Sequence, residues 1–77
     1  MLHKIKEIIQ RPTKHREVCC TIHHNGLRFC IEAGNRSRSI EHVGWSELEN
    51  AGNQQAAEGV LEAAYARCLA RADNARG

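Results

Sequence analysis

The sequence predicts a small α+β domain of the order αβββα, with an antiparallel β-hairpin, a third strand and one sheet face covered by a C-terminal amphipathic helix. Two observations carry this prediction. Apolar and polar residues alternate on either side of Asn25-Gly26, and apolar residues recur at helical spacing over residues 54–72. A third observation is the length of 77 residues, which leaves room for one small core. We therefore predict a single domain over residues 1–77.

The N-terminal segment, residues 1–15, is predicted to be a basic helix or arm, and Pro12 ends its helical pattern. The apolar residues that recur at helical spacing are Leu2, Ile5, Ile8 and Ile9. Through Arg16 this segment carries five basic groups and one acid, whereas residues 41–66 carry five glutamates and no base. Such a basic segment suits contact with phosphates or with an acidic protein surface, and ordinary solvated side chains are the alternative.

Asn25-Gly26 is the strongest short-range signal for a two-residue turn, and it predicts a hairpin over residues 16–33. With that turn, His24 lies opposite Leu27, and no two cysteines lie opposite each other. The alternation places Val18, Cys20, Ile22, Leu27, Phe29 and Ile31 on an apolar face. The polar face carries Cys19, Thr21, His23, Arg28, Cys30 and Glu32.

A third strand is predicted from about residue 37 to residue 43, where the alternation is weaker. Ser46 and Glu49 have the spacing of a capping box, which predicts a short helical turn beginning at Ser46. Residues 50–53, with Gly52 and two asparagines, are predicted to interrupt the chain before the last helix.

The last helix is predicted over residues 54–72, followed by a frayed tail at residues 73–77. Its apolar stripe consists of Ala57, Val60, Leu61, Ala64, Cys68 and Ala72, widened by Tyr65 and Leu69. The small residues in this stripe would let the helix lie close to the apolar face of the hairpin.

The cysteines and histidines do not have the spacing of a structural zinc site. Adjacent Cys19 and Cys20 point to opposite faces of a strand, and Cys19 and His23 are about 13 Å apart along it. We expect no metal, no disulfide and no cofactor. A zinc-stapled or thiol-active domain that uses Cys19, Cys30 and His23 remains an open alternative.

Motifs of catalysis are missing from the sequence, which has no Cys-x-x-Cys, no glycine-rich phosphate loop, no H-E-x-x-H and no G-x-S-x-G. We therefore expect the protein not to be an enzyme. Lys4, Lys6 and Glu7 interrupt the N-terminal apolar residues, so no secretory signal is expected, and no apolar run approaches the ~20 residues that span a bilayer. These observations predict a cytoplasmic protein with reduced thiols.

The αβββα order and the stretch NQQAAEGVLEAAYARCL resemble the double-stranded-RNA-binding domain in layout. That resemblance implies a last helix that opens with lysines on phosphates, but residues 50–61 contain no Lys or Arg. A small RNA- or DNA-binding protein is therefore the second functional hypothesis.

Binding of a protein partner is the first hypothesis, because Trp and Arg most often anchor protein interfaces. The candidate binding residues are Arg28, Arg36, Arg38, Trp45, His23, Lys4 and Lys6. A cap over the edge of the core is an equally good interpretation of Trp45. An exposed edge of the third strand would also allow pairing with a second copy or with a partner strand.

The segments REVCCTIHHNGLRFCIEAG and NQQAAEGVLEAAYARCLARA, a hairpin and a helix in one short chain, resemble the small phage-encoded anti-CRISPR proteins in size and layout. The resemblance implies a viral inhibitor that binds a CRISPR effector complex in the host cytoplasm and blocks its binding to target DNA or its recruitment of a nuclease. No residue-level role follows from it, because that group shares no motif.

Overall fold

The computed structural model describes residues 1–34 and 37–74 and confirms the small α+β domain. A three-stranded antiparallel sheet has the order β1-β2-β3, and the C-terminal helix packs on one of its faces. In chain order, the elements are α1 (Leu2–Ile9), β1 (Glu17–His23), β2 (Gly26–Glu32), β3 (Arg38–Gly44), α2 (Trp45–Glu49) and α3 (Gln54–Asn74). No helix among the described residues is both long and apolar enough to cross a bilayer.

The hairpin has the predicted faces but not the predicted register. The loop consists of His24 and Asn25, and Gly26 is the first residue of β2, where it pairs with His23. Each residue of β1 is therefore paired two positions away from the prediction, and a shift of two keeps every side chain on its face. The expectation that no cysteines face each other was wrong, because Cys19 pairs with Cys30.

The physical reason for this register is the close approach of β3. A Cβ atom on Gly26 would lie 2.1 Å from the carbonyl oxygen of Val43, so only glycine fits there. Gly26 therefore serves as the strand residue that pairs with Gly44, rather than as the second residue of the turn.

The predicted short helical turn after β3 is present, but the prediction that it begins with a capping box was wrong. The short helix α2 begins at Trp45, with Gly44 as its N-cap and no side-chain hydrogen bond to the cap. The backbone N–H of Trp45 donates to the carbonyl oxygen of Asn25 at 3.2 Å and so continues the β2–β3 ladder. Because that bond sets where the strand ends, α2 starts one residue before Ser46.

The predicted interruption before the last helix is confirmed, and α3 begins at Gln54. The side chain of Asn53 accepts a hydrogen bond from the backbone N–H of Ala56 at 2.8 Å, as an N-terminal capping residue does. The helix continues past the predicted end at residue 72 to Asn74. Asp73, assigned to the frayed tail, contacts Nε2 of the buried His15 at 2.7 Å, and residues 75–77 lie outside the described residues.

The core lies between α3, α1 and the helix-facing side of the sheet. Phe29 at its centre makes an edge-to-face contact with Tyr65, with ring centroids 6.0 Å apart. The largest fully buried side chains are Phe29, Ile8, Leu27, Ile31, Leu61, Val43 and Cys68. Strand β1 lies at the border of this core, since Val18 and Cys20 are half-buried and Ile22 is 69% exposed.

Candidate functional site

The sheet face opposite α3, hereafter the open face, is covered by no other described element. Its residues are Glu17, Cys19, Thr21, His23, Arg28, Cys30, Glu32, Arg38, Ile40 and His42. None of their side chains is buried. The register arranges them in rows that run across all three strands.

The central row of the open face consists of Thr21, Arg28 and His42. Arg28 is exposed, and no carboxylate among residues 1–34 and 37–74 forms an ion pair with it. At the end of the row Thr21 Oγ1 and His23 Nε2 are hydrogen-bonded at 2.8 Å. The guanidinium therefore keeps its donors available to a partner.

The neighbouring row is apolar and consists of Cys19, Cys30 and Ile40. Ile40 is 48% exposed although it lies in the middle of β3. Partial burial, and to a lesser degree the adjacent Cys30 thiol, raise the pKa of Cys19. An arginine thus stands beside an exposed aliphatic side chain, a pairing that suits a protein partner better than a polar solute.

The third row holds two carboxylates, Glu17 and Glu32, which pair across β1 and β2. Arg38 and Arg16 lie near Glu32 at 3.7 and 3.8 Å, at the long end of ion-pair distances. A shallow concavity of about 140 Å³ is lined by these two carboxylates, by Arg38 and by the thiols of Cys19 and Cys30. No group of three or more His, Cys, Asp or Glu side chains in the described part of the chain is arranged to hold a metal ion.

The structure brings three of the candidate binding residues, Arg28, Arg38 and His23, onto the open face. Lys6 lies exposed on α1 and not on the sheet. Trp45 is half-buried, packs against the core, and its Nε1 donates to the carbonyl oxygen of His24 at 3.1 Å. That geometry favours the interpretation of Trp45 as a cap over the core edge. Arg36 lies outside the described residues.

Lys4, also a candidate binding residue, belongs to an ion-pair network between α1 and α3. Its Nζ lies 2.7 Å from Glu62, and Arg11 donates to both carboxylate oxygens of Glu62 and to Glu7. Hydrogen bonds from Arg11 and then Lys4 lower the pKa of Glu62 to about 2. The network neutralises part of the basic segment and joins it to α3.

The edge of β3, expected to be available for strand pairing, is partly covered. Arg71 of α3 donates to the carbonyl oxygen of Ile40 at 2.5 Å and also pairs with Glu41 at 2.7 Å. Arg67 contacts the same carboxylate at 3.1 Å. Burial raises the pKa of Glu41, but the hydrogen bonds from Arg71 and Arg67 outweigh it and lower the pKa overall.

A larger concavity of about 480 Å³ lies between α2 and the start of α3. It is lined mainly by Met1, Trp45, Leu48 and Ala57, and Glu49 is the one titratable side chain among its described lining residues. A single carboxylate beside apolar side chains does not form the nucleophile and base pair that covalent catalysis needs.

Sequence reasoning overlooked Ile40 and His42, which share the open face with Arg28. The available signal was the alternation of β3 itself, because residues two apart on a strand lie on one face. Comparison with known proteins adds no assignment to this surface: no family model, no curated protein and no solved structure matches the chain.

Proposed function

We propose that the protein is a non-enzymatic binding protein that engages a protein partner through its open face. The observation that carries the proposal is the exposed Arg28, unpaired among the described residues, in a row next to exposed Ile40 and beside His42. Arginine is among the residues that most often dominate binding energy, and an adjacent aliphatic side chain excludes water from its contacts.

The distribution of charge supports a protein partner over a nucleic acid. Binding to phosphates depends on cations that release counterions, and each cation already paired to a carboxylate contributes less to that release. Lys4 and Arg11 are paired with Glu62, and Arg67 with Glu41. The open face itself carries Glu17 and Glu32 as well as its arginines, so it is mixed rather than cationic.

The most specific form of the proposal is an inhibitor, encoded by a phage or mobile element, that binds a CRISPR effector complex in the host cytoplasm. The support for it is the resemblance in size and layout together with a binding surface that needs no catalytic group. In this form the protein occupies a surface that the effector needs for target DNA or for its nuclease. A second copy of the chain is the other candidate protein partner.

The test is binding and inhibition with purified CRISPR effector complexes of several types. We expect one of them to bind the protein and to lose binding to its target DNA. Arg28→Ala should weaken that complex by about 1–2 kcal/mol, or about 5- to 30-fold in Kd. Lys6→Ala is the matched control, since it also removes an exposed cation but lies on α1, and its Kd should not change.

If no effector is bound, the inhibitor proposal fails, and a tagged pull-down with and without nuclease then tests the wider class. Recovery of nucleic acid alone, with protein partners lost on digestion and a steep salt dependence, would favour the RNA- or DNA-binding alternative. An unchanged Kd in Arg28→Ala would exclude the open face as the contact surface.

A further inference from the structure

Two thiols of the open face, Cys19 and Cys30, form a directly opposed cross-strand pair. They differ from the other two cysteines in burial or in the face of the sheet to which they point. Cys20 points to the helix-facing side of the sheet, and Cys68 is fully buried in α3. Cys19 and Cys30 are half-buried on a face that no described element covers, and both line the same shallow concavity. A small reagent can therefore reach both.

The backbone bonds show which type of antiparallel pair this is. On the β3 side of β2, the N–H of Ala33 donates to Ser37 and the N–H of Trp45 donates to Asn25. In β2 and the residues next to it, the backbone N–H and C=O groups of odd-numbered residues therefore point toward β3. The even-numbered residues, including Cys30, therefore exchange hydrogen bonds with β1.

Cys19 and Cys30 are thus a hydrogen-bonded pair, for which Cα atoms lie about 5.5 Å apart. Cysteines joined by a disulfide usually have Cα atoms about 4.4–6.8 Å apart and Cβ atoms about 3.5–4.5 Å apart. The Cα separation of this pair type is suitable, and closure has to draw the Cβ atoms together from about 5.5 Å. Both are free in the structure, which therefore describes the reduced state.

We propose that Cys19 and Cys30 are a redox-active dithiol site that closes to an intramolecular disulfide on reaction with a small-molecule disulfide such as glutathione disulfide. One thiol loses its proton, and its sulfur attacks the small disulfide, whose S–S bond breaks to release one glutathione thiolate. The second thiol, deprotonated in turn, attacks the protein-bound sulfur and displaces the other glutathione. The protein loses two protons and two electrons, and the small disulfide gains them as two thiols.

The rate at which the disulfide closes should depend on pH. Because burial and the neighbouring thiol raise the pKa of Cys19, little thiolate is present there at neutral pH, and the thiolate is the attacking form. Closure should therefore be slow at neutral pH and faster as the pH rises. This dependence concerns the rate and leaves the products unchanged.

The test uses the full chain in anaerobic buffers with increasing ratios of glutathione disulfide to glutathione. After acid quenching and alkylation, tryptic cleavage without reduction places Cys19 and Cys20 in peptide 17–28 and Cys30 in peptide 29–36. We expect the two peptides to become linked, with a mass two hydrogen atoms below the sum of peptide 29–36 and peptide 17–28 carrying one alkyl group on Cys20. Dithiothreitol should remove the link.

The cysteine variants identify the sulfur atoms. Cys20→Ser should keep the link, and Cys19→Ser should lose it; Cys30→Ser serves as a second variant should Cys19→Ser fail to fold by circular dichroism. Mixed disulfides with glutathione that never close would overturn the proposal. So would a link that persists in Cys19→Ser, because it would join Cys20 to Cys30.

Discussion

Ser39 and Cys68 exchange hydrogen bonds across the interface between β3 and α3. The hydroxyl of Ser39 donates to the carbonyl oxygen of Cys68 at 2.7 Å, and the thiol of Cys68 donates to the carbonyl oxygen of Ser39 at 3.2 Å. Both residues are buried. The reciprocal bonds anchor the last helix to the sheet and satisfy two polar side chains inside the core.

Ser39→Ala removes one of these bonds, and we expect it to lower the free energy of unfolding by about 1 kcal/mol. Urea unfolding followed by circular dichroism measures this change. Ser46→Ala is the matched control, because Ser46 is exposed and does not cap α2. It should stay within about 0.5 kcal/mol of the parent. A larger effect at Ser46 than at Ser39 would contradict both assignments.

Glu62→Gln should destabilise the protein because Glu62 joins Lys4 and Arg11 of the N-terminal segment to α3. These groups are partly exposed, so solvent screening limits the expected loss to about 0.5–1 kcal/mol at pH 7. Glu58→Gln, one turn earlier on α3, removes a carboxylate that contacts Gln54 and, within residues 1–34 and 37–74, no cation. It should cost less. Equal losses for the two variants would show that the network has no net stabilising effect.

Acid should weaken the fold over a defined range of pH. Arg11 lowers the pKa of both Glu62 and Glu7, and His15 lowers that of Asp73. A carboxylate with a lowered pKa binds its proton more weakly in the folded than in the unfolded state, so protonation favours unfolding. For Glu62 the stabilisation is complete above the ordinary value of 4.5 and is lost as the pH falls to about 2.

The measurement is the free energy of unfolding as a function of pH, in the parent and in Glu62→Gln. The parent should lose stability steadily below about pH 5, and the variant should show a shallower slope in the same range. Parallel slopes would indicate that Glu62 titrates alike in the folded and unfolded states.

Gly26→Ala should be the most damaging small substitution in the sheet. The added methyl group would lie 2.1 Å from the carbonyl oxygen of Val43, and backbone on both strands would have to move. We expect a loss of about 3 kcal/mol or failure to fold. Gly59→Ala is the opposite case, since a Cβ atom on this glycine of α3 meets nothing within 4 Å.

Gly59→Ala should raise the free energy of unfolding by about 0.5–1 kcal/mol, because alanine costs less conformational entropy than glycine in a helix. Thermal melts of both variants and the parent measure the two changes. Gly26→Ala should lower the melting temperature, and Gly59→Ala should raise it. A stable Gly26→Ala protein with an unchanged melting temperature would exclude the close approach of β2 and β3.

The sequence by itself determined the order of elements and the face on which each side chain of the hairpin lies. Both follow from local periodicity, which assigned Phe29 to the core face and Arg28 to the opposite face without knowledge of the register. The same periodicity predicted the last helix, whose buried Leu61 and Cys68 lie in the expected stripe.

The tertiary structure alone decided the pairings between elements. Asn25-Gly26 indicated a turn correctly, but the contact of Gly26 with β3 moved the loop by one residue and so placed Cys19 opposite Cys30. Likewise, the sequence suggested that Lys4 was available to a binding partner, but the packing of α1 on α3 places Glu62 2.7 Å from its Nζ. Such relationships depend on distances between segments far apart in the chain, and those distances are set by how the core packs rather than by local pattern.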